Sequence, residues 1–272
     1  ELPENGRDKN RIDGGVVFDP VSGKEIEVGG YAVGERPGGL WAFKANGIFA
    51  TDEEAAACDV YDKGTSVPMR GQVKHAGDVD WADLNGDKVI DGKDLVFVGY
   101  KTPDKTGGWL NTFTYKGLSL RVAMDYALGH VICDAALARS MGQGRSMNEG
   151  APVEAMSSET WQNQGDTNCK YPRFSFADSD MGYGNHMRWI TTVAGYQGMG
   201  LGMYGTDNTI YYSKGDYLAF REVSLSYSLP SSLSKKIGCS KIVLNAGVYN
   251  LGYLTAYKGL NPESYGGVDA GG

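Results

Sequence analysis

The sequence predicts an all-β chain that contributes antiparallel strands to a membrane-spanning barrel with long extracellular loops. Three observations predict this fold class. The 272 residues include 40 Gly and 17 Tyr, a composition that favours strands and loops over helices. Two pairs of segments alternate apolar and polar residues, as strands with two different faces do. The connections between these segments are short at one end and very long at the other, as in barrels that cross membranes.

The first strand pair is predicted at about 109–115 and 118–128, with the turn Lys116-Gly117 between the strands. Glycine readily takes the positive φ that a two-residue turn requires. Along the second strand, every other residue is apolar and these residues would share one face: Leu118, Leu120, Val122, Met124 and Tyr126.

The second strand pair is predicted at about 217–229 and 241–251, separated by Pro230 and a compact Lys-bearing turn. One face would carry Val223, Leu225 and Tyr227 from the first strand, and Ile242, Leu244, Ala246 and Val248 from the second.

Three charged residues fall on the opposite, polar face of these strands: Arg121, Asp125 and Glu222. A lone charge on a lipid-facing side would cost roughly 2–4 kcal/mol at the membrane midplane. The apolar face is therefore expected to meet lipid and the polar face to border a lumen. Alternation alone fits a soluble β-sandwich equally well, with the faces reversed in meaning.

The loops favour the barrel. Residues 129–215 form a long, Gly-rich stretch between the two strand pairs, and compact soluble domains rarely contain structureless loops beyond about 15 residues. We therefore expect an extracellular loop region over 1–105, followed by barrel strands with a long extracellular loop over 106–272.

An acidic loop at 83–94 has the spacing of a calcium loop of the EF-hand or dockerin type. The expected oxygen ligands are Asp83, Asn85, Asp87, the main-chain carbonyl of Val89, Asp91 and Asp94. The loop departs from the pattern at position 6, where Lys88 replaces the usual Gly, and at position 12, where Asp94 replaces Glu. We expect bound Ca²⁺, and the alternative is an acidic surface turn without metal.

Several function classes find no support in the sequence. The net charge of -7 and the lack of a Lys/Arg-rich stripe argue against nucleic-acid binding. No zinc site is expected, since the four cysteines form no CxxC pair; sequence alone leaves their disulfide state open. The three histidines follow no catalytic spacing, and a lone GxGxxG at 200–205 follows no predicted strand. We therefore expect no enzymatic activity.

Several segments, in order along the chain, resemble SusC/RagA-type TonB-dependent outer-membrane transporters of Bacteroidetes. The C-terminal signature of that family is matched by YLAFREVSLSYSLP at 217–230, LSKKIG at 233–238, VYNL at 248–251 and YKGLNPE at 257–263. Earlier matches are Gly30 to Phe49, Gly77 to Asp94, Thr160-Trp161 and Tyr171-Pro172-Arg173.

The resemblance implies the C-terminal strands of a 22-stranded barrel in the Gram-negative outer membrane. It also implies that the plug, the other strands and the last strand lie outside this chain. By resemblance, TonB drives import, a SusD-like lipoprotein covers the extracellular side, and the substrate is an oligosaccharide or a peptide. Four aromatic residues of the long loop would stack on substrate or pack the loop itself: Tyr183, Trp189, Tyr196 and Tyr204. The alternative from another class is a secreted, soluble, calcium-stabilised β-domain that binds carbohydrate.

Overall fold

The computed structural model describes residues 11–62, 74–135, 137–138, 154, 157–173, 190–193, 196–198, 208–259 and 261–263. The chain divides into two compact units. The loop unit comprises 1–101, 133–213 and 266–272, and the sheet unit comprises 102–132 and 214–265.

Short strands predominate in the loop unit and long strands in the sheet unit. The strands in chain order are β1 (Arg11–Ile12), β2 (Gly15–Asp19), β3 (Lys24–Val28), β4 (Tyr31–Ala32), β5 (Gly39–Phe43), β6 (Ala45–Ile48), β7 (Tyr61–Asp62), β8 (Val79–Trp81), β9 (Val89–Ile90), β10 (Leu95–Tyr100), β11 (Lys105–Tyr115), β12 (Leu118–Leu128), β13 (Val131–Cys133), β14 (Ile190–Val193), β15 (Tyr196–Gly198), β16 (Tyr212–Lys214), β17 (Tyr217–Ser228) and β18 (Val243–Thr255). The helices are α1 (Asp52–Ala57) and α2 (Ser231–Lys236), with 3₁₀ turns at Gly92–Asp94 and Thr209–Tyr211.

None of the helices in the described residues is long and apolar enough to cross a membrane. Helix α1 begins at the N-cap Thr51, whose hydroxyl accepts the Glu54 N–H at 3.3 Å, and acidic residues fill its first turn. Both features stabilise a helix N-terminus. None of the four cysteines, all of which are among the described residues, forms a disulfide.

The sheet unit contains one antiparallel sheet in the order β11-β12-β17-β18. A two-residue turn joins β11 to β12, and both of its residues have positive φ, 44° at Lys116 and 85° at Gly117, as a type I′ hairpin requires. The Ser228 N–H donates to the Gly117 carbonyl at 2.8 Å. The connection between β17 and β18 therefore lies at the same end, which we call the turn end; the opposite end is the loop end.

The first strand begins at Lys105, four residues before the predicted start. Residues 105–108 pair with 125–128 of β12, although Gly107 and Gly108 interrupt the alternation of side chains. Main-chain pairing does not depend on that alternation, which explains why the sequence pattern located the strand start too late.

In the loop unit, a buried core holds the short strands together. It contains Val79, Trp81 and Ile90, each at most 2% exposed, packed with Tyr171 and Tyr211. The rings of those two tyrosines stack with centroids 6.0 Å apart.

Several residues that carry the family resemblance meet in the loop unit. The buried Asp78 pairs with Arg173 at 3.1 Å, and the Arg173 N–H donates to the Gly77 carbonyl at 2.9 Å. A Cβ at Gly77 would lie 2.6 Å from the Trp161 ring, so only glycine fits beneath that ring. These motif residues stabilise the packing of three separate chain segments.

Candidate functional site

One face of the four-stranded sheet is apolar and open. Residues opposite each other on adjacent strands share a face, and the register forms successive rows across the sheet. From the turn end these rows are Tyr115, Leu118, Tyr227 and Leu244; then Phe113, Leu120, Leu225 and Ala246; then Asn111, Val122, Val223 and Val248. Leu225, Leu244 and Val248 are 44%, 60% and 57% exposed. The predicted apolar face therefore turns away from any core within the sheet unit.

Tyrosine side chains lie near both ends of the apolar face. Tyr115 and Tyr227 lie in the row at the turn end. Towards the loop end the Tyr126 ring covers Gly107, where a Cβ would come 2.7 Å from the Tyr126 hydroxyl. The rows of Tyr115 and Gly107 are eight residues apart, roughly 26 Å along the strand. With ordinary strand tilt this is about 20 Å of thickness, most of the apolar band between the aromatic girdles of a barrel.

The opposite face carries paired charges. Arg121 Nε donates to Glu222 Oε2 at 3.0 Å, and the Ser224 hydroxyl donates to Glu222 Oε1 at 2.7 Å. Both charged residues are on the face that the sequence predicts to be polar. Charged and hydroxyl side chains of this kind are stable at a surface that borders water, whereas they would be costly in lipid.

A β-bulge brings one further charge, Arg221, to the polar face. Ala123 pairs with Glu222, but the next residue, Met124, pairs with Phe220. Arg221 is therefore the extra residue of β17, and its side chain turns towards Asp125. Strict alternation would have put this guanidinium among the apolar residues, so the bulge removes a costly charge from that face.

Arg221 is the centre of a small ion-pair network. Its Nη2 donates to Asp125 Oδ2 at 2.9 Å, and the guanidinium also contacts the second Asp125 oxygen and Glu263. The Tyr253 ring lies 5.8 Å from Arg221 Cζ. Sequence reasoning missed both Arg221 and Glu263. The sequence did contain one indication: Arg221 is the single charged residue at a position where the alternation of the strand predicts an apolar side chain.

Buried polar groups close the loop end of the sheet. His130 is 2% exposed and lies edge-on to Tyr217, with ring centroids 6.3 Å apart. Burial lowers the pKa of His130, although a hydrogen bond with the Pro262 main chain and the nearby Asp216 carboxylate oppose this shift. Asp216 Oδ1 also accepts the Gly129 N–H at 2.6 Å.

In the loop unit, the acidic loop 83–94 is folded around its own main chain. Asp83 accepts the N–H groups of Gly86 and Lys88, both at 2.8 Å, and Asp87 accepts that of Val89 at 2.8 Å. Lys88 has a φ of 64°, so it takes the left-handed conformation for which calcium loops usually have Gly. The lysine at position 6 is therefore compatible with the loop conformation.

The end of the acidic loop is buried. Asp94 is fully buried and accepts the N–H groups of Leu84 at 2.9 Å and Asp91 at 2.8 Å. Burial raises the pKa of Asp94, and the neighbouring Asp83 and Asp91 carboxylates add to the shift. A cation would relieve this repulsion. Among the described residues, however, no three His, Cys, Asp or Glu side chains are grouped as metal ligands.

The predicted aromatic contacts to substrate lie outside what the structure describes. Tyr183, Trp189 and Tyr204 are not among the described residues. Tyr196 belongs to β15, which pairs with β14, but its side chain is likewise outside the description.

A sheet with one open apolar face, one polar face with paired charges, and short turns at one end has the architecture of a barrel wall. Comparisons with known proteins agree. No family model matches the chain. Two TonB-dependent receptors of Formosa agariphila are similar to it: receptor P39 is 27% identical over 88% of this chain, and receptor P3 is 23% identical over 85%.

Solved structures with a similar fold include chains of a peptide transporter. A chain in the structure of the RagAB peptide transporter aligns with 93% of this chain at a TM-score of 0.52 and 18% identity, as does one in the RagAB importer in its 'closed-closed' state. The predicted resemblance to SusC/RagA-type TonB-dependent transporters and the predicted barrel fold are confirmed. This chain spans 23% and 19% of the lengths of the two receptors and 22% of the RagAB chain. The similar proteins are receptors and transporters, in agreement with the expectation of no enzymatic activity.

Proposed function

We propose that this chain supplies barrel wall and extracellular loops to an outer-membrane transporter that imports oligomeric nutrients with energy from the TonB complex. The observation that carries the proposal is the open apolar face of the sheet, where residues such as Leu244 and Val248 are more than half exposed. In water such a face would favour aggregation. Against acyl chains it is stable, because neighbouring strands satisfy the main chain.

Fractionation of cells tests the location. The native protein is expected in the detergent-extracted outer-membrane fraction and to resist extraction by salt and carbonate. Recovery of a folded, monodisperse protein from the soluble fraction would overturn the proposal. That result would favour the secreted, calcium-stabilised carbohydrate-binding domain instead.

The proposed partner is a SusD-like surface lipoprotein, and the proposed substrate is an oligosaccharide or a peptide. The similar RagAB protein is described as a peptide transporter, so peptides are the first substrates to test. Co-purification from native membranes would identify the lipoprotein, and uptake of labelled peptide or glycan with and without TonB would identify the substrate class. We also propose that Tyr183, Trp189, Tyr196 and Tyr204 contact substrate. Replacing Trp189 with Ala should then weaken uptake without changing the amount of protein in the membrane.

We further propose that the loop 83–94 binds Ca²⁺ through Asp83, Asn85, Asp87, the Val89 carbonyl, Asp91 and Asp94. The left-handed Lys88 and the crowding of Asp94 by two other carboxylates support this proposal. Added Ca²⁺ should slow main-chain hydrogen exchange in this loop, and EDTA should reverse the effect. The Asp83→Asn variant should lose the response, whereas Asp19→Asn, at the end of β2, should retain it. Identical hydrogen exchange with Ca²⁺ and with EDTA would contradict the calcium site. The loop would then be an acidic turn that is stabilised by its own hydrogen bonds.

A further inference from the structure

The two ends of the four-stranded sheet differ in charge. At the turn end, residues 115–119 and 228–243 contain four lysines and neither Asp nor Glu. Three of the lysines lie in the connection between β17 and β18: Lys235, Lys236 and Lys241. At the loop end, by contrast, lysines are accompanied by acids such as Asp104 and Asp216. In a chain with a net charge of -7, the turn end is a local region of positive charge.

The connection that carries these lysines is ordered and projects from the sheet. Helix α2 is closed by Gly238 at a φ of 76°, and the Cys239 N–H donates back to the Ser234 carbonyl at 3.0 Å. This is the bond pattern that ends helices at a glycine. The three lysines are exposed, and none of them is paired with a carboxylate within the described residues. The main chain that carries the three lysines is therefore ordered, and their ammonium groups are available to a ligand.

The same connection exposes apolar side chains. Leu233 is 49% and Ile237 is 66% exposed, and a spacing of four residues places both on one side of the helical turn. The first row of the open apolar face follows directly, with Leu244 beside Tyr227. Apolar surface thus continues from the sheet into the connection, with lysines beside it, as in segments that lie in a membrane interface.

We propose that the connection 229–242 is an interfacial site for anionic glycerophospholipids, in which Lys235, Lys236 and Lys241 bind headgroup phosphates and Leu233 and Ile237 enter the lipid. The proposal rests on the membrane location proposed above and adds the ligand of this end of the sheet. Lysine ammonium groups attract anionic headgroups strongly at short range, and acyl chains accept the apolar side chains. Neighbouring residues of one connection would therefore contact both the headgroup and the acyl chains of the same lipid.

Lipid binding at this connection can be measured with a fluorophore attached to Cys239, because this thiol is exposed and lies within the connection. The native protein, with its other three cysteines replaced by Ser, would carry a fluorophore at Cys239 in phosphatidylcholine vesicles containing about one fifth phosphatidylglycerol. A nitroxide quencher would be placed on the headgroup of one lipid or the other, and each labelled lipid would be titrated in a separate series of vesicles. We expect labelled phosphatidylglycerol to reach half-maximal quenching at a concentration roughly tenfold lower than labelled phosphatidylcholine.

Matched variants distinguish the site from general attraction. Replacing the three lysines with Gln should remove the preference for phosphatidylglycerol. Replacing three exposed lysines of the loop end, Lys105, Lys214 and Lys258, should leave it unchanged. Equal quenching by the two lipids in the unmodified connection, or equal loss in both sets of variants, would overturn the proposal.

A second label separates this proposal from the proposed membrane location. Quenching at Leu244→Cys by acyl-chain nitroxides, without quenching at Cys239 by either headgroup, would overturn the lipid site while leaving the barrel wall intact. Under that outcome, crosslinking of Cys239 to an acidic protein in native outer membranes would assign the lysines to a protein partner. Absence of quenching at both positions would overturn both proposals.

Discussion

The two units of this chain place their apolar side chains in opposite ways. In the loop unit Val79, Trp81 and Ile90 are almost fully buried, and charged residues such as Lys88 are exposed. In the sheet unit Leu244 and Val248 are exposed, while Arg221 and Asp125 are paired and partly buried. Burial of apolar area stabilises a unit surrounded by water, and the loop unit follows this rule. The sheet unit follows it only if its surroundings on one face are themselves apolar.

The largest expected effect comes from truncating the core of the loop unit. Trp81→Ala removes a buried indole and should lower the free energy of unfolding by about 3–5 kcal/mol. Leu244→Ala, on the open face, should cost less than about 1 kcal/mol in detergent or lipid. Thermal unfolding followed by protease resistance of each unit measures both. Equal losses at the two positions would remove the contrast between the units.

A charge introduced into the open face tests its surroundings. Val223→Lys places an ammonium group in the third row of the face and should cost about 2–4 kcal/mol if that row is near the membrane midplane. Ser226→Lys, on the polar face of the same strand, is the matched control and should change stability little. Urea titration of the protein folded into vesicles gives both values. An unaffected Val223→Lys protein would mean that this face is in water.

The bulge network should contribute less than the core, but more than a simple surface ion pair. Arg221→Met leaves Asp125 and Glu263 without their shared partner and should cost about 1–3 kcal/mol. Arg121→Met breaks one exposed pair with Glu222 and should cost less than about 1 kcal/mol. The same urea titration ranks the two variants. If Arg121→Met proved the more damaging, the bulge network would have no special role.

The smallest expected effect is the pH response of His130. Burial lowers the pKa of His130 below its value in the unfolded chain, so the folded sheet unit binds fewer protons than the unfolded chain between these two values. The contribution of neutral His130 to the free energy of unfolding is therefore complete above pH 6.5, and it decreases as the pH falls towards the lowered pKa. Unfolding midpoints of the native protein and His130→Gln across pH 5–7.5 measure this response. The variant should lose part of the slope, and parallel pH profiles would exclude the histidine as its source.

The face of each long strand could be predicted from the sequence, because side-chain alternation with period two is a local property of the backbone. The position of Arg221 could not, since a bulge depends on the partner strands that accept the extra residue. The only indication in the sequence is that Arg221 is charged at a position where the alternation predicts an apolar side chain. The early start of β11 was missed for a related reason: main-chain pairing with β12 continues through glycines that have no side chains to alternate.

The acidic loop shows a different limit of sequence reasoning. The spacing of acidic residues in 83–94 predicted a set of oxygen ligands, which stays a prediction. It did not predict that Asp83 and Asp87 accept main-chain N–H groups within the loop. Long-range pairs such as Arg173 with Asp78 also could not be predicted, because no local pattern contains them.

Accessibility of neighbouring positions on β18 tests the central claim most directly. Single fluorophores at Leu244→Cys, Asn245→Cys, Val248→Cys and Tyr249→Cys in the vesicle-embedded protein would be exposed in turn to acyl-chain nitroxides and to a water-soluble quencher. The two-faced wall predicts acyl-chain quenching at 244 and 248 and aqueous quenching at 245 and 249. Aqueous quenching at all four positions would contradict it.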